Sequence, residues 1–341
     1  MNLKMKNGLI VLAAIAVIAI IAIVITSTMS PTGLFTQSAK SETIKLGNLP
    51  VIQGLPIYLA IEKGYFSEAG LSVELTKFDS PSQLVDAVMQ GKLDLTTPSG
   101  AAGISAVANY KNPGKIKLYA LSGGTAEVPN EVLLIPIDSN INSIKELKGK
   151  KLGLLGGSIQ WRTIARDMLA KNGLEADKDV YLVELATGLQ VQALATKQID
   201  ALLALEPTAT IAKEKKAGKI LLDGPMEETI SDPFYPGAGI INLEFAKTHP
   251  EIVKKFIEVV KRATKEIKQN PVESEKYLKN YTALTDDLIG KVPMSAFKIC
   301  EQINAKDIEA LQKFYDLFEE YNVVDGRIDA NAFLYCTNNA N

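Results

Sequence analysis

At 341 residues, with 47% hydrophobic and 22% charged side chains, the chain has the length of two ordinary domains and the composition of a folded protein. Its 37 basic and 39 acidic residues leave no cationic surplus for nucleic acid or for an anionic lipid surface. One histidine and two cysteines leave zinc centres and Cys–His or Ser–His nucleophile systems without parts.

Residues 1–7 form a short stub carrying Lys4 and Lys6. Gly8–Ile25 follows as an unbroken apolar run of about the length of a bilayer core. No further charge occurs before Lys40, so the positive-inside rule places Met1 in the cytoplasm and the rest outside. Two readings of the run compete, a transmembrane anchor and a signal sequence. Signal cores are usually about 7–15 residues long and end at small residues. This run is longer, and Pro31 blocks cleavage after Ser30, which favours the anchor. Either way the rest of the chain is exported, and setting aside Lys4 and Lys6 leaves it 35 basic against 39 acidic residues. No cysteine stands near the run, which excludes a lipoprotein. Residues 26–41 are polar and read as a spacer.

From Glu42 on, β-rich runs alternate with helical patterns. Thr43–Gly47, Leu71–Leu75, Leu93–Thr97 and Ile116–Leu121 read as strands. Pro56–Lys63 and Ser82–Gln90 read as helices, closed by Gly64 and Gly91. This alternation implies βαβ units and a parallel sheet. The pattern restarts with strands at Leu147–Leu155, Val180–Leu185, Ile199–Leu205 and Ile220–Leu222, and helices near Trp161–Asn172 and Gly188–Lys197. DAVMQGKLDL (Asp86–Leu95) even aligns with QALATKQIDA (Gln192–Ala201), suggesting two halves of one design. Beyond Pro236 come a strand over GAGIINLEF, a long amphipathic helix starting in THPE, and helices at Val272–Tyr281 and Ala305–Tyr321. His249 in THPE reads as a helix-start residue before Pro250. Cys300 and Cys336 are either a disulfide or two buried thiols.

Candidate binding residues lie in loops at strand ends. Thr97, Ser99 and Gly100 follow one strand; Gly157, Ser158, Gln160 and Trp161 follow another. Such junctions offer backbone N–H groups, a helix dipole and hydroxyls to polar or anionic groups, although Ser99 and Ser158 also suit plain N-capping. Trp161, the sole tryptophan, can stack on a ligand or pack in the core. Glu206 ends a strand before Pro207 and either faces a cleft or caps the next helix. Asn48 and Gln53 follow the first strand and can reach the same cleft. No residue reads as catalytic or metal-binding, and no cofactor motif occurs.

GLPIYLAIEKGYFSEAGLSVEL (Gly54–Leu75) closely resembles the signature of the periplasmic solute-binding proteins that serve nitrate, sulfonates, taurine and thiamine-pyrimidine precursors. AVMQGKLDL, SIKELKGKKLGL, IDALLALEP and HPEIVKKF resemble further elements of that family in the same order, from about Ile44 to Pro271. The resemblance implies the type II periplasmic-binding-protein fold, two doubly wound lobes joined by two crossing segments. The lobes are expected at 42–125 plus 238–341 and at 126–237, with crossings near Gly124–Asn130 and Ser231–Gly237. It also implies a monomer that captures a small polar ligand and hands it to an ABC permease and its ATPase. The pocket loops lack the arginine that tight sulfonate or nitrate pairing needs. Two alternatives share the fold: enzymes of thiamine-pyrimidine or menaquinone-precursor synthesis, and a ligand-sensing ectodomain.

Overall fold

Strand β1 (Glu42–Asn48) alternates inward and outward, with Ile44 and Leu46 buried and Thr43 and Lys45 exposed. That period-2 pattern is what a sheet strand with helices on one face requires. The computed structural model describes residues 42–336. Gly8–Ile25 and the spacer expected after it lie outside those residues. Among the described residues no helix is long and apolar enough to cross a membrane.

Beside β1, the first sheet contains β2 (Leu71–Lys77), β3 (Leu95–Thr96), β4 (Gly100–Ala101), β5 (Ile116–Gly124), β11 (Phe234–Asn242) and β12 (Ala296–Ile299). Its order is β12-β5-β11-β3-β1-β2, with β4 paired to β11. The second sheet holds β6 (Glu131–Pro136), β7 (Lys151–Leu155), β8 (Tyr181–Leu185), β9 (Ala201–Leu205) and β10 (Gly218–Asp223), in the order β10-β6-β9-β7-β8. The chain passes from the first sheet to the second at residues 125–130 and returns at 224–233. The two passages touch, because the N–H of Ala126 donates to Asp232 Oδ1 at 3.0 Å.

The parallel arrangement expected from the sequence is only half of each sheet. β1 is parallel to β2 and β3, and β7 to β8 and β9. β11, by contrast, runs antiparallel to β3, β4 and β5, and β6 antiparallel to β9 and β10. A strand arriving from the other sheet enters where its new neighbours end, so it must run against them. Both sheets are therefore mixed.

β6 (EVLLIP) is buried at every position, so it shows no alternation by which to recognise it. Helices Ala102–Lys111 and Thr208–Glu214 and strands β4 and β12 were likewise not expected. The helix expected at Val272–Tyr281 is instead a single turn, Pro271–Ser274, followed by a 3-10 turn, Glu275–Leu278. The strand expected over GAGIINLEF stops at Asn242, whose Oδ1 accepts the N–H groups of Glu244 and Phe245 at 3.0 Å and starts helix Leu243–Thr248.

The long helix Pro250–Gln269 buries Val253, Phe256, Ile257, Val260, Ala263 and Ile267, the stripe the 3.6-residue period predicts. It covers the first sheet together with helix Leu55–Glu62, and Phe256 packs edge-on against Tyr119 of β5. Cys300 and Cys336 form a disulfide with Cα atoms 5.2 Å apart. The tail it holds runs along β5, where Leu118 N–H donates to Phe333 O and Tyr335 N–H to Leu118 O.

Candidate functional site

The loops that leave the strands at the facing ends of the two sheets enclose a cavity. From the first sheet's side come Leu49, Val51 and Gln53 after β1, Ser99 and Ala101 around β4, Pro81 at a helix start, and Pro236 and Gly237 of β11. From the second come Leu155 at the end of β7, Gln160 and Trp161 in the first turn of helix Ile159–Lys171, and Leu205 at the end of β9. Its volume is about 20 Å³ as traced by the centre of a water molecule, room for little more than one water. A drug-sized ligand occupies a pocket of about 300–1,000 Å³, so entry of one requires the walls to part. None of the twelve lining residues carries a charge, which leaves an anion without a counter-charge inside the cavity.

Of the ten residues singled out from sequence, Gln53, Ser99, Gln160 and Trp161 line this cavity. Asn48, Thr97, Gly100, Gly157, Ser158 and Glu206 are not in its lining. Asn48 Oδ1 accepts from the buried Tyr58 hydroxyl and from Thr97 Oγ1, and so braces the loop after β1. Burial holds that tyrosine hydroxyl protonated far above its ordinary range. Thr97 Oγ1 and Ser99 Oγ lie 2.7 Å apart, and Ser99 Oγ also accepts the N–H of Leu49 at 2.9 Å. These hydroxyls bind the loops to one another before they can bind anything else.

Gln160 has a comparable internal role. Its Oε1 accepts the N–H of Gly103 at 2.8 Å, in the first turn of helix Ala102–Lys111, and its Nε2 donates to Pro236 O at 3.1 Å. One amide from the second sheet's side thus ties two elements of the first. Ser82 Oγ adds a second bridge by donating to Gly157 O at 2.6 Å. The N–H of Gly157 donates to Glu184 Oε2 at 2.8 Å, a carboxylate also held by Arg162. Ser158 Oγ accepts the N–H of Trp161 at 3.3 Å, which is N-capping. Trp161 itself is 3% exposed with its residue on the cavity wall.

Glu206 caps the helix that follows it: Oε2 accepts the N–H of Thr210 at 3.0 Å. The side chain is fully buried and Oε1 has no hydrogen-bond partner among the described residues. Burial pushes this carboxyl above the ordinary range, although the bond from Thr210 pulls the other way. Gln53 is similar in one respect, since its Oε1 also lacks a donor, but it sits on the cavity wall.

The apolar walls, Leu49, Val51, Leu155, Leu205 and Pro236, were missed by sequence reasoning. They look like ordinary strand-end hydrophobics, and only their position directly beside Asn48, Gly156 and Glu206 could have pointed to them.

Residues 52–274 match the model of the family described as NMT1/THI5 like. The chain belongs to the NMT1/THI5-like family. The putative aliphatic sulfonates-binding protein of Bacillus subtilis is 26% identical over 333 residues, spanning 95% of this chain and 93% of that one. The 4-amino-5-hydroxymethyl-2-methylpyrimidine phosphate synthase THI11 of Saccharomyces cerevisiae is 26% identical over 258 residues, 72% of this chain and 73% of its own. Among solved structures, the alkanesulfonate-binding protein SsuA of Xanthomonas axonopodis pv. citri, bound to MOPS, superposes with a TM-score of 0.70 at 18% identity. That match covers 86% of this chain and 98% of the other, and it establishes the NMT1/THI5-like chain as a periplasmic-binding-protein fold.

Proposed function

We propose that the chain is the solute-binding component of an ABC importer. On this reading it is an exported monomer held to the membrane by Gly8–Ile25, which closes two lobes on a small organic ligand and delivers it to a permease and its ATPase. The fold, the family and relatives named for sulfonate binding support the transport role.

The ligand reading is carried by one observation, the uncharged, apolar-walled cavity between the sheets. A bare nitrate or alkanesulfonate entering it loses its hydration and gains no cation. Trp161 offers a flat apolar wall, and the unpartnered Oε1 of Gln53 asks for a donor. A flat ring that carries N–H groups, such as an aminopyrimidine, supplies both, and is favoured over a taurine-like zwitterion. A thermal-shift screen tests this, because a ligand at about 100 times its Kd adds about 2.7 kcal/mol of stability. Stabilisation by ethanesulfonate or nitrate, with none from aminopyrimidines, would sink the reading.

The name of the yeast relative favours a second reading, an enzyme of pyrimidine synthesis. Against it, no lining residue is an acid, a base or a nucleophilic thiol. The sole histidine, His249, stacks on Phe245 at 4.7 Å beside its own helix start and is absent from the cavity lining. Mass analysis of the ligand after prolonged incubation separates the two: recovery unchanged fits binding, and conversion fits the enzyme.

A further inference from the structure

Two buried carboxyl groups meet where the chain crosses between the sheets. Glu131 opens β6 directly after the first passage and is fully buried; Glu227 lies in helix Pro225–Thr229 on the return passage and is 7% exposed. Glu131 Oε1 accepts from Asn130 Nδ2 at 3.1 Å. Glu131 Oε2 and both oxygens of Glu227 have no hydrogen-bond donor among the described residues. Glu227 is pressed against the end of β5, where the first passage begins, since a Cβ placed on Gly124 would fall 2.4 Å from its Oε1.

The other charged groups around the pair worsen its position. Asp223 at the end of β10 and Asp232 in the return passage act on Glu227 with the same sign of charge. The neighbouring helix Ile159–Lys171 carries Arg162, Arg166 and Lys171; Arg162 is held by Asp177 and Glu184, and Lys171 by Asp167 and the Thr229 carbonyl. Ionised carboxylates only accept hydrogen bonds, so two of them buried together with one donor for four oxygens are untenable. A proton on one turns it into a donor for the other and removes one of the two charges.

We propose that Glu131 and Glu227 form a proton-operated clasp on the hinge: a shared proton holds the two passages together, and its release to solvent lets them separate and the lobes open. Burial, joined for Glu131 by the adjacent Glu227, drives both carboxyls up, Glu227 to about 7. A raised value means that the clasp is complete at low pH and is lost as pH rises through the folded-state value. The clasp rests on the two-lobe closure proposed above, and it acts in the ligand-free chain whatever the ligand is.

Trp161, the sole tryptophan and a cavity-wall residue, reports opening through its access to acrylamide in the full-length, ligand-free protein. Quenching should rise several-fold between about pH 5 and about pH 9, with a midpoint near neutrality. Glu131→Gln and Glu227→Gln each install a permanent donor opposite the remaining carboxyl, and each should keep quenching low throughout. His249→Asn, which removes the only imidazole, should leave the transition in place. A flat profile in the unmodified protein, a transition that persists in either glutamine variant, or one lost with His249 overturns the proposal. Should a glutamine variant fail to fold, the infrared band of a protonated buried carboxyl in Glu206→Gln protein, which lacks the other fully buried carboxyl of raised value, decides: it must fade over the same pH range, and its absence overturns the clasp.

Discussion

Asp94 and Asp200 hold equivalent posts in the two sheets, each accepting a backbone N–H at 2.8 Å from the lysine 49 residues before it, Lys45 in β1 and Lys151 in β7. Each aspartate also returns the bond, its own N–H donating to the carbonyl of that lysine at 2.9 Å. The correspondence extends along the strands. A Cβ on Gly47 would lie 2.5 Å from Leu93 Cδ1, and one on Gly153 would lie 2.5 Å from Ile199 Cδ1. The two halves therefore repeat a strand, its tight glycine, the hydrophobic residue that fills it, and the aspartate that pins the next strand.

Asp94→Ala and Asp200→Ala should each cost about 1.5–3 kcal/mol, the range for a hydrogen bond to a charged acceptor. Asparagine, which keeps an acceptor, should cost less at both positions. Urea unfolding of the four variants checks this. An alanine variant with unchanged stability at either site would show that the bond contributes nothing there.

This repeat was visible in the sequence as the alignment of DAVMQGKLDL with QALATKQIDA, because hydrophobic spacing and a strand-opening aspartate are local signals. The parallel βαβ strands were legible for the same reason. β6 is not among the expected strands and β11 differs from expectation in direction and extent, since a fully buried strand carries no period and its direction is set by where the chain crosses. At the site, four of the twelve lining residues, Gln53, Ser99, Gln160 and Trp161, are legible because polar side chains and an isolated tryptophan after a strand mark a loop. Asn48 and Thr97 were also singled out, but they bond to each other, to Tyr58 ten residues beyond Asn48 and to Ser99 two residues beyond Thr97, and a sequence does not say which partner a polar side chain will meet.

Closure should depend on Gln160. Gln160→Leu removes both hydrogen bonds that its amide makes across the cavity and leaves Gly103 N–H and Pro236 O unpaired. A loss of about 1.4 kcal/mol from the closed state weakens binding tenfold. The variant should bind its ligand about tenfold more weakly and remain more extended in small-angle scattering at ligand saturation. Affinity and scattering that match the unmodified protein would mean that the amide is dispensable for closing.

The disulfide should be a large contributor to stability. Cys300 and Cys336 close a loop with a sequence separation of 36, for which chain entropy gives about 4 kcal/mol. Reductant, or Cys336→Ser combined with Cys300→Ser, should lower the denaturant midpoint and free the tail from β5. Hydrogen exchange at Leu118, whose N–H bonds to Phe333 O, would then quicken. Titration of two free thiols in the untreated protein would contradict the pairing.

Retention of the apolar run is checked by mass. Protein recovered from membranes should still contain Gly8–Ile25, as the length of the run and Pro31 imply. A soluble product beginning near Thr28 or Lys40 would identify the run as a cleaved signal sequence.

Glu206 provides a pH test that is separate from the ligand. Its carboxyl is fully buried, caps Thr210 through Oε2 and leaves Oε1 without a partner. Burial raises its folded-state value, so the protonated form is the one that folding favours. The stability tied to this group is present in acid and is lost as pH rises through that value, because ionisation then costs more in the folded chain than in the unfolded one. Glu206→Gln keeps an acceptor for Thr210 N–H and cannot ionise. Relative to the unmodified protein, the variant should therefore gain stability from about pH 5 to about pH 9. The same comparison should leave ligand affinity nearly unchanged, since Glu206 is absent from the cavity lining. Urea unfolding at both pH values, with calorimetric titration of the ligand, measures the two effects independently. A stability difference that is constant with pH would mean that the carboxyl titrates normally. A large loss of affinity would mean that Oε1 meets the ligand, returning Glu206 to the binding site.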